Sequence, residues 1–152
     1  LPELAQLADV FYLGGTKQGA LFGEAVVITN DKLKRDFRYN IKQGGGMLAK
    51  GRLLGIQFET LFTDNLYFDI ARHANVQAMR IKKALQQNGY SFLIESPTNQ
   101  QFPVLPNELI DELSKEFLFS VWEKVDDDHT CVRICTSWAT KPENVDKLIA
   151  ML

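Results

Sequence analysis

Between residues 13 and 27 the sequence LGGTKQGALFGEAVV sets four glycines around a single lysine, Lys17. Side chains are so scarce there that no regular element runs through it, and the chain has to turn between the apolar runs on either side. Residues 10–13 before the turn and EAVVIT, residues 24–29, after it read as two strands, the second buried and closed by Asn30-Asp31. Two explanations of Lys17 stand open at this point. Either it is a solvated lysine on a surface turn, or the backbone is thinned so that something can approach the amine closely.

The remaining elements follow from periodicity and punctuation. Leu1, Leu4, Ala5, Leu7 and Ala8 form a short helical stripe. Asp31 is placed to cap a helix over KLKRDFRYNIKQ, residues 32–43, which stops at Gly44, Gly45 and Gly46. Residues 47–62 carry Leu48, Leu53, Ile56, Phe58 and Leu61 at mixed helical spacing, interrupted by glycines. A long helix is expected over residues 66–87, stopped by Asn88-Gly89. YSFLIES, QQFPVLP, LFSVWEKV and HTCVRICTSW then read as strands, with NELIDELSKE as a helix among them and VDDDHT as a polar hairpin turn. PENVDKLIAML closes the chain as a helix with Pro142 in its first turn. This order predicts a mixed α/β (α+β) fold: strand, turn, strand and helices first, then a compact sheet with helices on one face, with a boundary near Asp64-Asn65.

Composition narrows the function classes. The 152 residues suffice for a real core, and a net charge of −2 argues against nucleic acid or an anionic membrane as the main partner. No apolar run is long enough for a transmembrane helix and no signal peptide is visible, so a cytoplasmic location is expected. The chain begins Leu1-Pro2, as a fragment would. On a strand, Cys131 and Cys135 lie about 13 Å apart at about 3.3 Å per residue, whereas a disulfide tolerates about 7 Å between Cα atoms. Both are expected to be buried free thiols. Zinc is disfavoured, because His73 and His129 are the only histidines and no second pair of ligands has the right spacing.

Neither glycine cluster fits a nucleotide motif. Thr16 precedes Lys17 where a phosphate loop needs Ser or Thr to follow, and GGGMLA follows a helix rather than a strand. What is left is a lysine at a strand end among small residues, an arrangement suited to an amine that attacks a carbonyl. Such an amine must be neutral to react. Lowering its pKa by about three units from about 10.4 costs roughly 4 kcal/mol, so an ordinary turn remains the competing explanation.

The wording of the chain goes further. DVFYLGGTKQGALFGEAVV (residues 9–27) resembles the cofactor-lysine segment of the bacterial threonine aldolase and β-eliminating lyase family, pyridoxal-phosphate enzymes of the aspartate aminotransferase fold type. IKQGGGMLAKGRLLGIQF, DIARHANVQAMRIKKAL, PTNQQFPVLP and VRICTSWATKPENVDKLI continue the resemblance in order over nearly the whole chain. It implies the C-terminal portion of a fold-type-I enzyme: residues 1–64 as the end of the large cofactor-binding domain, residues 65–152 as the small C-terminal domain.

In that frame Lys17 carries pyridoxal phosphate through an imine. Arg133 holds the substrate α-carboxylate, since a guanidinium grips a carboxylate through two parallel hydrogen bonds. On a strand Arg133 shares its side with Cys131 and Cys135, while Val132 and Ile134 point the other way, which argues against free solvation. Thr16 is a candidate donor to the cofactor phosphate, with a plain turn role competing. Lys42 falls where the family has a basic residue near the active site, with a solvated helix-end lysine competing. His73 reads as a packed or helix-surface residue.

One departure stands out: many threonine aldolases follow the glycine triplet with methionine-arginine, whereas this chain has Met47-Leu48, with Arg52 the nearest substitute. In the family the ring that stacks on the cofactor and the aspartate that pairs its pyridine nitrogen precede the lysine by more than the 16 residues found here. The chain is therefore expected to be inactive alone. The parent is expected to cleave threonine or a related β-hydroxy amino acid to glycine and an aldehyde, as a homodimer or homotetramer with a small-molecule substrate. A β-eliminating lyase and a non-catalytic α/β binding module are the alternatives.

Overall fold

The computed structural model describes residues 1–152 and divides them into two compact units, Leu1–Tyr67 and Phe68–Leu152. In the first, helix α1 (Pro2–Leu7) leads into strand β1 (Val10–Gly14), which pairs antiparallel with β2 (Glu24–Ile28) from Val10↔Ile28 to Gly14↔Glu24. Helices α2 (Phe37–Gln43) and α3 (Arg52–Phe62) follow. Phe58 and Leu61 of α3 are buried, and the rings of Phe58, Phe62 and Tyr67 pack in sequence at 6.2 and 5.1 Å between centroids. Leu7, Tyr12 and Leu21 stay exposed.

Two sequence expectations change here. Strand β2 is half exposed rather than buried. The helix expected over residues 32–43 is broken: Asp31–Leu33 is a single 3-10 turn, and Asp36 has φ 56°, a left-handed conformation that ends any right-handed helix before α2 begins. The cap belongs to Asn30, whose side chain accepts the Lys32 amide at 3.0 Å, while Asp31 pairs with Lys34 at 2.6 Å instead. The triple glycine does end α2, with Gly45 at φ +77°.

Helix α4 (Leu66–Gln87) has the expected bounds. Asp64 and Asn65, both left-handed at φ 52° and 62°, kink the chain just before it. At its far end the Asn88 amide and side chain both bond the Ala84 carbonyl, Gly89 turns left-handed at φ +83°, and Tyr90 N–H closes on Leu85 O at 3.1 Å.

Within the second unit, β3 (Phe92–Ile94), β4 (Gln100–Pro106), β5 (Ser120–Lys124) and β6 (His129–Cys135) form an antiparallel sheet in the order β3-β4-β6-β5. Helix α5 (Asn107–Leu113) links β4 to β5, and α6 (Pro142–Ile149) closes the chain with Pro142 at its start. The alternate residues Val132 and Ile134 of β6 join Leu105, Ile81, Leu85, Leu113, Val145 and Leu148 in one core, so α4, α5 and α6 pack on one face of the sheet. Polar ties fix α4 to the sheet end: Thr136 Oγ1 donates to Ala74 O at 2.7 Å and Asn99 Nδ2 to Thr136 O at 2.7 Å. No helix is long and apolar enough to cross a membrane.

Candidate functional site

Lys17 lies in the first unit, on a 3-10 turn (Thr16–Gln18) that leaves β1 directly. The Gly15 carbonyl accepts the amides of Gln18 and Ala20 at 3.0 and 2.9 Å, so the turn is closed by backbone alone. Its glycines answer to different causes. Gly19 and Gly23 are left-handed, at φ 89° and 88°, a region that penalises side chains. Gly15 is buried, and a Cβ there would sit 2.4 Å from Cβ of Ala20. Gly14 has nothing within 4 Å of the position its Cβ would take. From α3, Gln57 pins the loop, its Oε1 accepting Leu21 N–H at 2.6 Å. Tyr67 O–H donates to the Gly14 carbonyl at 2.9 Å, and burial pushes its phenol pKa up.

Glycine therefore serves a left-handed backbone at Gly19 and Gly23 and close packing at Gly15, while Gly14 has an open side. Lys17 and Thr16 are both exposed, and Lys17 is in none of the chain's ion pairs. Lys42 is exposed in the last turn of α2, and Arg52 opens α3, where with Arg38 it lines a hollow beside the glycine triplet. An accessible primary amine next to an open backbone fits an aldehyde-bearing cofactor, and a free hydroxyl and a free ammonium fit its phosphate.

Arg133 lies in the second unit, on the central strand β6, so the turn and the arginine occupy different units. It is half-buried, and its Nε is buried with no hydrogen-bond partner. Its Nη2 reaches the Ser120 hydroxyl at 3.4 Å, a long contact, and its guanidinium carbon lies 5.7 Å from the centroid of the Trp122 ring. That ring meets Phe102 edge-on at 5.0 Å between centroids. No carboxylate neutralises Arg133 within the chain.

The thiols on its side are unequal. Cys131 is buried, with its pKa raised by burial and then by the charge of Glu123, whereas Cys135 is exposed, contrary to expectation. Both thiols are free. His73 packs as expected, its Nε2 meeting the Thr140 carbonyl at 2.8 Å. Trp122 and Ser120 escaped the sequence reading, because no local signal shows that β5 brings them beside Arg133.

No family model matches the chain. It is 31% identical over 148 residues to a low specificity L-threonine aldolase of Pseudomonas sp. (strain NCIMB 10558), covering 93% of this chain and 40% of that protein. With a low specificity L-threonine aldolase of Pseudomonas aeruginosa it shares 32% identity over 106 residues, 69% of this chain and 31% of the relative. The solved structure of a threonine aldolase from Leishmania major superposes with a TM-score of 0.93 at 43% identity, covering 97% of this chain and 43% of that one. The chain thus spans about 40% of the length of the first of these relatives. By sequence and by fold it is a relative of the threonine aldolases that corresponds to a part of them, and the mixed α/β expectation holds.

Proposed function

We propose that the chain is part of a pyridoxal-phosphate-dependent lyase that cleaves threonine or a related β-hydroxy amino acid to glycine and an aldehyde. The observation that carries this reading is Arg133: a half-buried guanidinium with no acidic partner and a buried Nε left unbonded. An uncompensated charge held in that way is costly unless a ligand completes it, and a substrate carboxylate has the matching bidentate shape. The likeness to proteins named threonine aldolases supports the reaction class.

In this reading residues 1–64 belong to the large cofactor-binding domain and residues 65–152 are the small C-terminal domain. Lys17 would hold the cofactor through Nζ, with the Thr16 hydroxyl and the Lys42 ammonium available to its phosphate. Bound there, pyridoxal phosphate supplies an electron sink for the charge left at the substrate α-carbon when a bond to it breaks. Arg133 holds the carboxylate and thereby fixes which α-carbon bond is presented for cleavage. The protein would work in the cytoplasm; it would do so as a homodimer or homotetramer, as its resemblance to the family implies, and the 152 residues, about 40% of the length of the first relative, would be inactive alone.

The test uses the full-length protein. Borohydride treatment with pyridoxal phosphate should fix the cofactor on Lys17, as mapped by peptide mass spectrometry, and Lys17→Ala should lose both cofactor retention and aldehyde release from threonine. Arg133→Leu should lower kcat/KM by a factor equivalent to about 2–5 kcal/mol while cofactor absorbance survives. Cofactor fixed on another lysine, or an Arg133→Leu variant as active as the parent, refutes the assignment.

A further inference from the structure

We infer that Trp122 is the positioning residue that holds the Arg133 guanidinium aimed for a carboxylate, an inference that rests on reading Arg133 as the substrate clamp. A guanidinium carries five donors in one plane, and a carboxylate can fix that plane by bidentate hydrogen bonding. Here the chain supplies only the long Ser120 contact, and Nε has no partner at all. Something other than hydrogen bonding must limit the swing of the side chain.

The Trp122 ring does so, with the guanidinium carbon over it at 5.7 Å, within the range of a cation–π contact. Its placement is built into the strand. β5 pairs Ser120 with Arg133 and Val121 with Val132, then resumes one residue out of step with Glu123 opposite Cys131. Trp122 is the extra residue of this bulge, a device that re-aims a side chain at the expense of one ladder position. Phe102, almost wholly buried and edge-on to the indole, restrains the ring in turn.

The choice of an aromatic partner has a chemical consequence. A cation–π contact attracts the charge without accepting its N–H donors, whereas an aspartate or glutamate would take those donors and compete with the substrate. The arrangement therefore orients the charge without neutralising it.

The experiment compares Trp122→Leu, Trp122→Met, Trp122→Tyr, Arg133→Leu and the double variant Trp122→Leu/Arg133→Leu in the full-length protein. The readouts are kcat, KM for L-threonine and the thermal midpoint. Loss of the aromatic face should raise KM about three- to tenfold with kcat within about twofold of the parent. Tyrosine should recover most of that loss, and methionine, which keeps apolar cover without a π face, should not. In the double variant, loss of Trp122 should add nothing to the effect of Arg133→Leu. Trp122 is 47% exposed, so the midpoint should barely move. If Arg133→Leu raises KM while Trp122→Leu and Trp122→Met do not, or if the two losses simply add, the inference is wrong and the clamp stands. If Arg133→Leu leaves KM untouched, the reading beneath it has failed.

Discussion

Gly15 offers the sharpest test of why the Lys17 turn is built from so little bulk. Alanine there would put a carbon 2.4 Å from Cβ of Ala20 and 3.3 Å from Cζ of Phe58. The φ of Gly15 is −111°, which alanine adopts freely, so the cost is packing rather than backbone strain. Phe58 can give by a few tenths of an ångström, but the Ala20 carbon is fixed to backbone that is itself bonded to the Gly15 carbonyl at 2.9 Å. Overpacking of this kind costs about 1–3 kcal/mol, and the stiffer unfolded chain of an alanine variant returns about 0.4–1 kcal/mol. The net expectation is a loss of about 1–2 kcal/mol for Gly15→Ala. Gly14→Ala, with no neighbour to meet, should be neutral or slightly stabilising. Adding Ala20→Gly to Gly15→Ala removes the colliding carbon and should restore stability to within about 1 kcal/mol of the parent. Urea denaturation of the full-length protein, followed by circular dichroism, reads all three against the parent. A Gly15→Ala variant as stable as the parent, or a double variant that recovers nothing, would show that the glycine is absent of bulk for some other reason.

Two further outcomes follow from the second unit. Leu85 is fully buried in the core shared by α4, the sheet, α5 and α6, so Leu85→Ala should cost about 2–5 kcal/mol in the same denaturation assay, and a loss below about 1 kcal/mol would contradict the core assignment. Asp126 accepts the amides of Asp128 and His129 at 2.8 and 2.7 Å and the His129 ring at 3.0 Å; the Asp128 amide first, then the His129 side chain, hold its carboxyl below the usual carboxylate range. A depressed pKa means that the hairpin contacts are at full strength above the unfolded value of about 3.9 and are lost as pH falls through the lower folded value. Acid titration of the Asp128 and His129 amide resonances should therefore show a midpoint below about 3.9 that Asp126→Asn removes, and a midpoint at or above that value refutes the contact.

The sequence by itself determined the elements whose instructions are local. Residues 66–87 form one helix because a 3.6-residue apolar stripe runs unbroken until Asn88-Gly89, and QQFPVLP is a strand over its full length. The words around Lys17 and Arg133 were legible as a resemblance, because a resemblance is read from residue type and order along the chain. Other features were decided only when distant segments met. Asp36 takes a left-handed conformation that nothing in KLKRDFRYNIKQ announces, and the helix expected there breaks. Cys135 is exposed and Cys131 buried although both sit on the same side of one strand. Gly15 is required because Ala20 and Phe58 fold back on it, and Trp122 reaches Arg133 because β5 pairs with β6 at Ser120↔Arg133. The physical reason is common to all of these: periodicity and capping act over a few bonds along the chain, whereas register, collisions and the company of a half-buried charge depend on which strangers in sequence become neighbours in space.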